Sequence, residues 1–458
     1  MQERADRTPY WMQGNFAPVK DELTAMDLPV EGAIPPELCG LYVRNGANPL
    51  RGPSSHWFLG DGMVHGVSLK NGKAEWYRNR FIRTPPYQGQ PRTPMSPFDL
   101  RYSRANTHVI AHANRIMALY ETALPIELTR ELETAGFNDF GGKLKTPFTA
   151  HPKICSLTGE MHFFGYRALP PFLTYHVADA SGALLRSMEI PVKGATMVHD
   201  FALTSGHVIF MDLPVVFDLA SAIAGVSIPF CWSDKYGARL GVLPRGAGID
   251  RLRWVDIEPC YVYHVANAFE TPDGTIVLDV AKYKEHFRGG PPSSSSYSFD
   301  TAVLTRWTIA PGASKAQEQQ IDDRTIEFPK IDECRTAQPH STVYALATHG
   351  TLAAGVFTEL LKYDLKSGRV DSQDFDGLGI PSEFTMVSAG PDAGEDEGWL
   401  LGFVYDRTRD ASDLVIFDSQ SIAGDPVARI HLPRRVPQGF HGSWIADEPA
   451  PTHSIARP

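Results

Sequence analysis

Four of the 16 histidines occupy the same kind of local sequence: His151 in FTAHPKI, His199 in TMVHDFAL, His264 in YVYHVANAF and His441 in QGFHGSW. Each has apolar or small neighbours and lies at the start or end of a strand-like run. An imidazole in such a place must find partners for its nitrogens. Taken singly, each leaves two readings open: a core histidine with both nitrogens satisfied, or a metal ligand. Their separations of 48, 65 and 177 residues are too wide for a zinc finger, whose ligands come in local pairs. They suit a radial fold in which separate blades each send one ligand to a common axis, although any four histidines fit that description. His176, His286, His349 and His453 sit in plain, surface-like contexts. Competing signals are poor. HVIAH (108–112) puts two histidines on one strand face, but no HExxH follows. RGAGID (245–250) lacks the full phosphate-loop pattern, and no GxSxG offers a nucleophile elbow.

The bulk composition narrows the function classes. With 43% hydrophobic and 21% charged residues, the 458-residue chain reads as globular with material for a large core. A net charge of −10 argues against a nucleic-acid partner. No apolar run reaches the roughly 18 residues of a membrane span, and MQERADRTPYW has no apolar core of a secretory signal. The five cysteines, at 39, 155, 231, 260 and 334, form no CxxC pair. This predicts a reducing, cytoplasmic setting and no zinc–thiolate site.

The elements that must position such histidines are short. Runs such as GHVIFMDL (206–213), TIVLDVAKY (275–283), AVLTRWTI (302–309), GWLLGFVYD (398–406) and SDLVIFD (412–418) alternate with turn signals such as LKNGKAEW, TPDGT and DLKSGRV. IELTRELETAG (126–136) and VVFDLASAIAG (215–225) are the best helical patterns. FRGGPPSSSSYS (287–298), APGASKAQEQQ (310–320) and GPDAGEDEG (390–398) read as loops, and the tail after Ile445 as mobile. Many short strands suggest an all-β barrel, sandwich or propeller, and at this length without a composition break a propeller is the best of these, in one domain over 1–458 with 446–458 as the tail. No clear repeat gives the blade count. VVFDLASAIAGVSIPFCW (215–232) is unusually apolar for a connection. It reads either as a helix packed on the core or as a membrane-dipping entrance to a lipophilic tunnel.

From GNFAPVKDE (14–22) to GFHGSW (439–444) the chain resembles the carotenoid cleavage oxygenases. The resemblance rests on VEGAIPPELCGLYVRNGANP, HWFLGDGMVHGV, RANTHV, TAHPK, MVHDFALT, IEFPKID and GFHGSW taken together. PPFLTYHV, FMDLP and LGVLPR look most like the plant-type cytosolic members. The resemblance implies a seven-bladed β-propeller with a few helices and loops capping an axial iron site. It implies one Fe(2+) per chain held by His151, His199, His264 and His441, with O2 as co-substrate. Four imidazoles on octahedral iron leave two positions open, unlike a closed tetrahedral zinc site. Ligating imidazoles need an acceptor for their other N–H. The family uses three glutamates, matched here by Glu121 in ALYETALP, Glu327 in IEFPK and Glu383 in PSEFT. Read alone, each would be a solvated or capping carboxylate. Thr107 in RANT matches a position that shapes the open coordination site. Phe58, Tyr87, Tyr120, Phe269 and Phe440 are candidate tunnel walls, though core packing explains any one of them as well.

The implied activity is dioxygenative cleavage of a conjugated C=C bond in a carotenoid or apocarotenoid, a lipophilic small molecule, to two carbonyl products. Peripheral membrane contact would run through 215–232; the oligomeric state is open. Three alternatives stand beside it: the same chemistry on a stilbenoid or phenylpropenoid, a non-oxidative isomerase, and a non-catalytic binding propeller. Stilbene- and isoeugenol-cleaving relatives typically carry a Lys just before the first glutamate, where this chain has Tyr120 in ALYET. A phenol with a pKa near 10 is a poor cation at neutral pH, which favours a polyene.

Overall fold

In the computed structural model, residues 8–93, 95–288, 301–348, 356–376 and 379–447 are described. Seven antiparallel sheets of four or five strands follow one another along the chain, with one two-stranded hairpin beside them. This is a seven-bladed β-propeller. Each blade's innermost strand lines the axis: β1 (His108–His112), β2 (Lys153–Ile154), β3 (Ala202–Leu203), β4 (Tyr261–Glu270), β5 (Thr325–Lys330), β6 (Ile380–Ser388) and β7 (Gly442–Ala446).

The burial of each strand follows its place in the blade. Thr342–Thr348, second in its blade, is buried at every position and is apolar apart from its terminal threonines. Such a strand packs a neighbouring blade on each face. Leu184–Glu189, outermost in its blade, alternates buried or half-buried with exposed positions, as LLRSME dictates. Between blades the core is aliphatic and aromatic, with Trp307, Tyr175, Tyr261 and Phe201 fully enclosed.

The ring is closed by the N-terminal segment, which is used twice. Gly40–Ala47 pairs with β7, placing Tyr42 opposite Trp444 and Arg44 opposite Gly442. Val30–Gly32 pairs with Ala428–His431 at the outer edge of the preceding blade. Sequence-distant ends thus meet in two adjacent blades.

Several sequence expectations are corrected. Residues 126–136 form no helix. Ile126–Leu128 and part of Thr134–Phe137 pair as strands around a tight turn in which Leu132 takes φ +67°. The spacing of Ile126, Leu128 and Leu132 imitates a helical stripe because the turn folds Leu132 back into the core. In 215–225, Val215–Phe217 is a strand of the two-stranded hairpin, and only α1 (Leu219–Ile223), capped by Asp218, is helical. It is the one α-helix among the described residues. The 310–320 loop ends in a strand, Gln317–Gln320. His176 and His286 are buried, not surface residues: His176 lies between Thr146 and Ser187, and His286 against the Tyr263 hydroxyl. Ala446 belongs to β7 and so is not part of a tail. Residues 289–298 and 448–458, with His349 and His453, lie outside the described residues.

Candidate metal centre

The seven blades divide the site residues among them. His151 and His199 stand just before β2 and β3, His264 lies within β4, and His441 immediately precedes β7. Glu327 lies in β5 and Glu383 in β6. The blade of β1 supplies Thr107, just before the strand, and Glu121, two residues past its Arg115–Leu119 neighbour. In the three longest inner strands, ladder pairing breaks where the site residue falls. Register shifts occur between Val262 and Asn267, between Glu327 and Lys330, and between Pro381 and Phe384. A bulge re-aims a side chain that strict alternation would fix. Phe328 takes φ +54° in one bulge, followed by Pro329, which has no N–H to pair.

The four imidazoles converge, each offering one ligand atom within 4.8 Å of the others. His151 Nε2 is 3.0 Å from His199 Nε2, and His264 Nε2 is 3.2 Å from His441 Nε2. Their far nitrogens face the carboxylates. His199 Nδ1 meets Glu121 Oε1, His264 Nδ1 meets Glu327 Oε2 at 2.5 Å, and His441 Nδ1 meets Glu383 Oε1 at 3.0 Å. An Nδ1–H that donates to a carboxylate leaves Nε2 bearing only a lone pair. The His264 and His441 lone pairs therefore face each other at 3.2 Å. A metal cation held between them makes that arrangement favourable, so the donor set fits a resident metal ion. His151 has no carboxylate partner among the described contacts. Burial and the neighbouring imidazoles hold His151 and His441 well below the usual histidine range, in the neutral form a metal needs.

Backbone contacts fix His441 closely. Its N–H donates to the Thr107 carbonyl at 3.2 Å, and Gly442 N–H donates to Glu383 Oε2 at 2.7 Å. A Cβ on Gly442 would meet the Tyr42 hydroxyl at 2.8 Å, and one on Gly439 the Arg44 guanidinium at 2.6 Å. The glycines of QGFHGSW thus let this segment lie against the Gly40–Ala47 strand.

The two sides of the imidazole group differ. On the side toward which the inner strands run, a cavity of about 610 Å³ reaches His151, His264 and His441 and is lined by Lys153, Asp200, Lys330 and Asp332 among others. Phe440 instead packs with Trp57, its ring centroid 4.9 Å away, and Phe58, 5.6 Å away, in a cluster with Trp11 and Phe16. None of these aromatics lines the axial cavity. Tyr120 is half-buried beside Glu121; burial outweighs the nearby Arg104 and raises its phenol above the usual range. Tyr87 packs on Phe81 and on the Arg83 guanidinium, and Phe269 on His340. Neither contact involves the imidazole group.

Sequence reasoning passed over several neighbours. Phe328 has its ring 5.2 Å from His264 and 5.3 Å from His441. His108 lies 5.1 Å from His441 and is held by the Ala150 carbonyl and Ser443 Oγ. Tyr166, Tyr283 and Lys330 contact the three glutamates. Pro329, which cannot pair in a ladder, was the one local hint of irregularity beside Phe328; Lys330 and the tyrosines of other strands carried none.

Fold and site together define a β-propeller with a four-imidazole axial centre backed by carboxylates. The family model described as "Retinal pigment epithelial membrane protein" matches residues 16–446. The chain is 38% identical to a carotenoid cleavage oxygenase of Mycobacterium tuberculosis, over 97% of this chain and 98% of that one. It is 31% identical to the carotenoid 9,10(9',10')-cleavage dioxygenase 1 of Pisum sativum, over 96% and 90%. Among solved structures, the lignostilbene dioxygenase of Pseudomonas brassicacearum superposes with a TM-score of 0.87 at 28% identity, covering 96% of this chain and 99% of that one. The cobalt-substituted ACO of Synechocystis, an apocarotenoid oxygenase, gives 0.83 at 29% identity, covering 94% and 97%. The chain belongs to this family, the carotenoid cleavage oxygenases.

Proposed function

We propose that His151, His199, His264 and His441 hold one ferrous ion, and that the protein cleaves a conjugated double bond of a carotenoid or apocarotenoid into two carbonyl products. The observation that carries this reading is the convergence of four imidazole nitrogens, three of them turned inward by carboxylates on their far nitrogens. Bound there, ferrous iron supplies the activation of O2 that adds one oxygen atom to each carbon of the broken bond. The chain's own residues orient and exclude. Glu121, Glu327 and Glu383 fix the ring planes and offset the ion's charge inside a buried site. Phe440, next to His441 in the chain, packs with Trp57 and Phe58 in an apolar cluster away from the axial cavity, and this cluster would wall a polyene on that side. Thr107, whose carbonyl accepts the His441 backbone N–H, would shape the open coordination site.

A polyene is preferred over a 4-hydroxystilbene because Tyr120 stands before Glu121. Its phenol, raised by burial, stays neutral and supplies no cation in place of a lysine to hold a phenolate. The high TM-score to the lignostilbene dioxygenase is the observation that keeps a stilbenoid as the second reading. The apolar 215–232 segment would bring the enzyme to lipid: Leu219 and Ile223 on α1 are 64% and 79% exposed. No described helix is long and apolar enough to cross a membrane. The test is a side-by-side assay of anaerobically iron-loaded protein on an apocarotenal, a C40 carotenoid, resveratrol and isoeugenol, with products read by mass. Two carbonyl fragments from a polyene are expected. Cleavage of the phenolic stilbene alone, with every polyene intact in detergent micelles, overturns the substrate assignment.

A further inference from the structure

The three carboxylates behind the imidazoles are not equivalent. Glu121 accepts the Tyr166 hydroxyl on Oε2 at 2.7 Å, the oxygen His199 does not use. Glu327 accepts the Tyr283 hydroxyl on Oε1 at 2.6 Å, again opposite its histidine. Glu383 is built differently. Its Oε1, which accepts His441 Nδ1–H, also faces the Lys330 ammonium at 3.5 Å. Lys330 comes from the end of β5, the neighbouring inner strand. Its side chain is 15% exposed and lines the axial cavity. Its other carboxylate, Glu333, is farther away at 3.8 Å. The second cavity lysine, Lys153, pairs with Asp200 at 2.8 Å and touches none of the three glutamates.

A full positive charge on the accepting oxygen acts differently from a neutral phenol on the other one. It draws electron density out of the His441 N–H···O bond, and a partly enclosed site weakens the effect less than water would. The His441 ring then carries less imidazolate character than His199 or His264, and donates less to whatever its Nε2 holds. Outer contacts of this kind tune a bound metal through the ligand's basicity. Burial works against the Lys330 charge, but Glu383, Glu333 and Asp200 hold the ammonium above its usual range.

We propose that Lys330 is a positioning residue that acts through Glu383 to weaken the His441 arm and favour the ferrous over the ferric state. This rests on the reading that the four imidazoles hold iron. The test is the midpoint potential of the bound iron in an anaerobic mediated titration, read from the high-spin ferric electron paramagnetic resonance signal. Wild type is compared with Lys330→Met, Lys330→Arg, Glu383→Gln and the double variant Lys330→Met/Glu383→Gln, all at saturating ferrous iron. Lys330→Met is expected to lower the potential and to speed oxidation of the ferrous protein in air several-fold. Lys330→Arg is expected to stay close to wild type. In the Glu383→Gln background the Lys330→Met shift should vanish, because the two side chains act on one bond. Should Lys330→Met be insoluble, Lys330→Gln makes the same comparison. A merely structural lysine would alter iron content or melting temperature and leave the potential in place. Unchanged potential in iron-replete Lys330→Met, or a shift that persists without Glu383, overturns the proposal. A wild-type protein that takes up no iron contradicts the metal reading instead, so the two failures are distinct.

Discussion

Glu327 shows how much chemistry a single side chain carries here. It accepts His264 Nδ1–H, the Tyr283 hydroxyl and the Phe328 N–H; burial pushes its pKa up, but these donors hold it below the usual range. Glutamine keeps the shape but cannot be a charged acceptor. Glu121→Gln, Glu327→Gln and Glu383→Gln are each expected to reduce iron affinity or turnover by roughly 10–100-fold. Iron titration and initial rates check this, and wild-type values in all three would contradict the assigned roles. Residues of this kind were legible only in part. His151, His199, His264 and His441 look alike in context, but their spacing would fit any four histidines, and motif resemblance singled them out. Phe269 was a candidate tunnel wall, yet it lies five positions past His264 along β4, beyond the bulges, and packs on His340. Lys330 sat unremarked in IEFPKID, because an ion pair between neighbouring blades leaves no trace in local sequence.

At the scale of elements, strand existence was readable and shape was not. Alternating and continuous apolar runs predict strands correctly at 302–309, 398–406 and 412–418. The bulges at His264, Glu327 and Glu383 were invisible, because a one-residue slip depends on the partner strand. The failed helix at 126–136 has a similar cause: a turn placing Leu132 at positive φ mimics helical spacing. α1 offers a test of the lipid-facing reading. Its exposed Leu219 and Ile223 make no core contact that a charge would disrupt, so Leu219→Glu/Ile223→Glu should leave the melting temperature nearly unchanged. The same variant should bind liposomes less and turn over membrane-borne substrate more slowly. Sedimentation with phosphatidylcholine vesicles measures the first, and undiminished binding would count against this surface.

For the whole molecule, ring closure and histidine burial set the stability. His56, His162 and His176 are deeply enclosed, and burial pushes them down to about 4, about 3 and about 4. Unfolded, each titrates near 6.5. Between these values the unfolded chain binds more protons than the folded one, so stability is full above about pH 6.5 and is lost as pH falls toward about 4. Each histidine contributes a slope of up to about 1.4 kcal/mol per pH unit. Urea midpoints between pH 7.5 and 5 should fall steadily, and a flat profile would contradict the burial of these rings. The histidine at the point of closure, His441, joins stability to function, since β7 both completes the ring and delivers it. The most direct test of the account is therefore the iron content of purified, iron-reconstituted wild type and His441→Ala, with circular dichroism as the control on folding. About one iron per chain is expected in wild type, with most of it lost in a variant that keeps its β spectrum. Full iron occupancy in folded His441→Ala would contradict the four-histidine centre.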